Sequence, residues 1–115
     1  EELMANKLYK PLLIDSVKTA TDVEQHRFIG FDGNYCKSGA KALGVSDVQT
    51  EKGQLVPVAL FGILLVEAGG TVAVGDAVAS DDNGKAVKAD GSTIVNGYAL
   101  DNGTVGQDIR ILIGR

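Results

Sequence analysis

Turns come at short, regular intervals along this chain. Asp32-Gly33-Asn34, Lys52-Gly53, Gly69-Gly70, Gly75-Asp76, Asp82-Asn83-Gly84, Asp90-Gly91, Asn96-Gly97 and Asn102-Gly103 all contain Gly, Asn or Asp, which tolerate the positive φ that tight hairpin turns require. The 15 glycines among 115 residues are nearly twice the usual share of roughly 7%. Between the turns lie short segments rich in Val, Ile and Tyr. Val56, Val58 and Leu60 alternate with other residues, as do Ile109, Ile111 and Ile113. Period two between turns means half-buried strands. Residues 16–27 are the best helix candidate, and β-branched Val17, Thr19, Thr21 and Val23 argue against it. The pattern predicts one all-β domain, a small glycine-rich β-sandwich or barrel.

The chain also resembles itself. Residues 44–60 overlie residues 97–113 at a constant offset of 53, which sets Gly44 on Gly97, Gly53 on Gly106 and Gln54 on Gln107. Val56, Val58 and Leu60 then fall on Ile109, Ile111 and Ile113. Upstream, Asp32-Gly33-Asn34 lies near Asp82-Asn83-Gly84 with a slip of one or two residues. Such units bury an apolar face against their own copy. The reading is a pseudo-duplicated strand-hairpin unit, with halves at about 23–62 and 72–114 inside a single domain spanning 21–115. Gly44 and Gly97 are expected at equivalent backbone positions. Ile109, Ile111 and Ile113 are expected to face the core, with Arg110 outward. Residues 1–20 stand outside this repeat as an N-terminal arm, apolar at Leu8, Leu12, Leu13 and Ile14 and interrupted by Pro11. They suit an edge strand or a segment that docks on a partner. Met4-Ala5-Asn6-Lys7 reads like a translation start, which would make Glu1–Leu3 additions; that they are native is equally open.

Few chemistries fit the side chains present. One Cys excludes a disulfide within the chain, and one Cys with one His leaves a zinc site short of ligands. Eleven basic residues against fifteen acidic ones, a net charge of −4, argue against nucleic acid as a partner. No run of 18 apolar residues is present, so no helical membrane span is expected. His26, in the polar stretch Glu24-Gln25-His26-Arg27, reads as a solvated strand end. Cys36 reads as a core or half-buried thiol. Ser38-Gly39-Ala40-Lys41 has the Ser-x-x-Lys spacing of penicillin-recognising enzymes but lacks their two companion motifs. Asp76, Asp81, Asp82, Asn83 and Asp90 could attract a cation, yet they lack EF-hand spacing and are ordinary turn formers. No catalytic residue, cofactor or metal site is assigned.

The second half carries a resemblance. Gly69-Gly70-Thr71-Val72-Ala73-Val74-Gly75-Asp76 leads through Ala77–Ser80 to Asp81-Asp82-Asn83-Gly84-Lys85-Ala86-Val87. Gly97-Tyr98-Ala99-Leu100 and Gly106-Gln107-Asp108-Ile109-Arg110-Ile111-Leu112 follow. This order resembles the capsid cement, or head decoration, proteins of tailed phages and prophages, over roughly residues 28–114. The resemblance implies a non-enzymatic structural protein on the outer surface of the virion, made in the bacterial cytoplasm. Its implied partner is the major capsid protein, which it clamps as a homo-oligomer, a trimer being favoured. The arm supplies the expected docking residues Leu8, Tyr9, Leu12, Leu13 and Ile14. The alternative is a fibre- or spike-type module that binds carbohydrate or a host surface.

Overall fold

The computed structural model describes residues 10–114. Eight strands form one antiparallel sheet: β1 (Lys10–Lys18), β2 (Phe28–Ile29), β3 (Gly44–Ser46), β4 (Leu55–Glu67), β5 (Ala77–Ser80), β6 (Ala86–Lys88), β7 (Gly97–Ala99) and β8 (Asp108–Ile113). There is no helix among the described residues. Residues 16–27 hold the end of β1 and a loop, as their β-branched content implies. The strand order is β2-β3-β4-β8-β7-β5-β6, with β1 on β4. The sheet rolls until its ends meet. Phe28 N–H, in β2, donates to the Gly84 carbonyl beside β6 at 2.7 Å, and Gly39 N–H to that of Ser80 at 3.0 Å. The all-β expectation holds, and the continuous rolled sheet is its barrel-like form.

β4 organises the sheet. Its residues 58–59 pair with both β1 and β3, and 62–63 with both β1 and β8. A strand has two edges, so β3 and β8 share the edge opposite β1. The pairings then repeat. Val45↔Ala59 and Ser46↔Val58 become, 53 residues on, Tyr98↔Leu112 and Ala99↔Ile111. On the partner side the step is 49: Val17↔Val56 becomes Val66↔Ile109, and Lys18↔Leu55 becomes Glu67↔Asp108. The Val23–Thr50 bridge likewise becomes Val72–Gly103. The difference of four lies in one hairpin, since Ile29↔Tyr35 becomes Val78↔Lys88. In this frame Lys10–Lys18 stands to β4 as residues 59–67 stand to β8. β4 is the last strand of one unit and the first of the next.

Glycine makes the frame possible where strands nearly touch. A Cβ on Gly44 would lie 2.3 Å from the Ala59 carbonyl oxygen, and one on Gly97 would lie 2.5 Å from Ile111 Cγ2 and 2.9 Å from the Leu112 carbonyl oxygen. Those are repeat-related places.

The core follows the alternation. Val23, Ile29, Val56 and Val58 form the buried interior of the first unit, with Val17 and Leu60 packed on it. Their counterparts Val72, Val78, Ile109 and Ile111 are buried in the second unit. That second cluster also takes in Phe28, Val45 and Ala59, which point to the opposite side of the first unit's strands. The back of the first unit is therefore covered by the second. Ala59 and the even-numbered Leu64 and Val66 join one cluster although strict alternation would separate them. Gly62, at φ 119°, lies between and lets β4 change face.

Candidate docking surfaces

The expected docking residues lie on or before β1. Leu8 and Tyr9 fall outside the described residues, as does the side chain of Leu12. Leu13 and Ile14 are 48% and 44% exposed. Among the described residues β1 pairs only with β4, and its register shifts on both sides of Leu13. Bulges and a proline are how sheets guard an edge against unwanted strand addition. β1 thus presents apolar side chains at a blunted edge, with its far end anchored by Val17 in the core and by Thr19. Thr19 N–H donates to the Gln54 carbonyl at 2.9 Å, and its hydroxyl to that of Glu51 at 3.0 Å.

Polar residues weighed for chemistry are occupied in building the frame. His26 has φ 64°, the place Gly75 takes in the second unit at φ 89°. Its Nδ1 lies 2.9 Å from Asp108 Oδ2, and its carbonyl accepts from Glu67 N–H at 2.9 Å. Arg27 bonds Glu67 at 3.2 Å and the Asn83 carbonyl at 3.1 Å, while Lys85 reaches Glu67 at 3.4 Å. These contacts tie the two units together. Cys36 is buried, and desolvation pushes its thiol pKa up, so it is a poor nucleophile. Ser38 lies in a loop, its N–H donating to Asp82 Oδ1, which is not the helix start that a Ser-x-x-Lys nucleophile needs.

The acids at the turns fold inward on backbone N–H groups. Asp81 accepts from Asn83 and Lys85, Asp76 from Ala73, and Asp90 from Ser92. Asp90 sits below its ordinary value because Ser92 N–H, then the Ser92 hydroxyl, bond the carboxylate. Asp32 does the same through Asn34 N–H and then the Asn34 side chain. No group of three metal-ligating side chains converges among the described residues.

One surface was not singled out from the sequence. Ile63, Leu112 and Tyr98 are directly opposite one another across β4, β8 and β7, so they share a face. Leu112 is 46% and Tyr98 53% exposed. Leu112 lies between Ile111 and Ile113, both buried as expected; period two alone says it points away from them. Arg110, on the same face, is half-buried and bonded by Asp101 at 2.9 Å, which raises the guanidinium pKa.

A rolled β scaffold with inward-turned acids and apolar residues on its outside is the class of small β modules that act through their surfaces. The chain belongs to the phage cement protein family, whose model matches residues 10–114. It is a structural protein of the virion, and its place is the phage capsid. Among solved structures, it is similar to the head fiber gp8.5 N base in bacteriophage phi29. The TM-score is 0.74 at 23% identity, covering 89% of this chain and 93% of that one. That likeness is one of fold. No curated protein matches the chain.

Proposed function

We propose that the chain binds the outer surface of the phage capsid, engages the major capsid protein, and does so without catalytic activity or a cofactor. It is made in the host bacterial cytoplasm and acts as a homo-oligomer, with a trimer favoured. A protein that binds only the assembled shell stabilises it by mass action, and several linked copies add avidity. The observation that carries the docking assignment is β1, where Leu13 and Ile14 stand exposed on an edge strand that is anchored behind them. Leu8, Tyr9 and Leu12 complete the proposed docking segment.

The test is co-sedimentation with expanded heads. Leu13→Lys with Ile14→Lys should bind at least about tenfold more weakly, a loss of about 1.4 kcal/mol, with an unchanged circular dichroism spectrum. Full binding by the double variant would move the docking surface elsewhere.

The solved relative is described as a head fiber base, which favours one second reading: a fibre-type module that binds carbohydrate or a host surface. Saturable binding on a glycan array without binding to heads would select it.

A further inference from the structure

The two units share a frame, yet one face of that frame has different fates in them. In the first unit the row Ile14, Ala59, Val45 crosses three paired strands. Val45 and Ala59 are fully buried, because the second unit packs on them. In the second unit the same row is Ile63, Leu112, Tyr98, and nothing among the described residues covers Leu112 or Tyr98. The uncovered copy also carries the larger side chains: leucine for alanine, tyrosine for valine. Lys10 stands opposite Ile63 at one end of the row, and the exposed Leu112 and Tyr98 beyond it are the kind of apolar surface that a partner covers.

We propose that a second copy of this chain covers the Ile63–Leu112–Tyr98 face. What covers the equivalent face within the chain is another unit of the same fold, so the repeat itself indicates the kind of occupant. The inference rests on the homo-oligomeric part of the reading above and is independent of where the capsid is gripped. Tyrosine suits the role, since its ring offers a large apolar area at little conformational cost while its hydroxyl stays solvated or bonded.

Sedimentation equilibrium on the full chain tests this, with Leu112→Glu, Tyr98→Ser and, as a control on an exposed loop residue, Val105→Glu. The wild type should self-associate at about 10 μM. Leu112→Glu and Tyr98→Ser should each raise the dissociation constant at least about tenfold, and Val105→Glu should not. Thermal melts establish that each variant is folded; Tyr98→Ser carries the test if Leu112→Glu does not fold. A wild type still monomeric at about 100 μM overturns the proposal, as does an oligomer that both variants leave intact. Loss of head binding by Leu112→Glu in a monomeric wild type overturns it in favour of the shell as occupant. Disruption of the oligomer in a chain that never binds heads sustains it and refutes the capsid-docking reading instead.

Discussion

The first strand of each unit holds the same place in the frame, but β1 is largely solvated while its counterpart, residues 59–67 of β4, is largely buried. Asp15, Ser16 and Val17 of β1 correspond to Leu64, Leu65 and Val66. The first set is exposed apart from half-buried Val17; the second is buried throughout. Over these three residues the ladder to the following strand is alike, so that pairing does not distinguish them. What differs is whether further strands and a second layer lie against the segment. The outer rows differ the other way, with Val45 and Ala59 covered and Tyr98 and Leu112 open. A duplicated frame thus leaves two unlike surfaces, an apolar edge at the start of the first unit and an apolar face on the second. What lies against each row, rather than its composition, separates core from contact surface.

The sharpest way to break this comparison uses neighbours on β8. Ile111→Ala should cost about 2–5 kcal/mol, because a fully buried side chain leaves a cavity. Leu112→Ala, one residue along on the open face, should cost the monomer less than about 1 kcal/mol, within the range of ordinary surface changes. Urea unfolding of both gives the contrast. Equal costs would mean the two faces are not distinct.

Deleting residues 1–17 probes the edge strand. The deletion removes Val17 from the first unit's interior and uncovers the edge of β4 from Val56 to Ile63. A stability loss of about 1.5–3 kcal/mol is expected, the worth of burying one aliphatic side chain, and a raised tendency to aggregate through β4 should accompany it. A truncated chain as stable as the parent would make β1 a pure appendage.

His26 and Gly75 occupy one backbone position with different residues. Gly75→Ala should cost about 1–2 kcal/mol from left-handed strain. His26→Gly relieves that strain but loses the Asp108 contact, so its net effect should stay within about 1 kcal/mol. A gain in His26→Gly equal and opposite to the Gly75→Ala cost would show that the His26 contact contributes nothing.

The smallest effect concerns acid. Asp32's folded carboxyl lies below its unfolded value, so its contribution is present above that unfolded value and lost as pH falls through the folded one. The group is nearly fully solvated, so Asp32→Asn should shift acid unfolding only slightly, flattening the fall in stability below about pH 4. A steeper fall in the variant would contradict the assigned direction.

Much of this was legible in the residues. Alternation marked β4 and β8, and the paired glycines 44/97 marked the strand approaches that admit no Cβ. The register across β3–β4 and β7–β8 follows the offset of 53 residue by residue. The place of β1 was harder to read, because the second hairpin is four residues longer and shifts the upstream offset to 49. No glycine pair survives that shift, and Pro11 with Asp15 and Ser16 bears no likeness to Leu64-Leu65-Val66. The open row was hidden for a different reason. Tyr98 and Leu112 have the composition of core residues, and only the layer stacked on their counterparts shows that theirs is missing. Of the docking residues, the apolar character of Leu13 and Ile14 was plain, whereas their exposure depends on no strand lying beyond β1 among the described residues.

The most direct test of the central claim is an electron cryo-microscopy reconstruction of the parent virion. The account expects this rolled eight-stranded fold on the outside of the head, at fixed positions on the capsid lattice, with β1 against the shell. Density for the fold at the tail or inside the head, or none on the head at all, would contradict it.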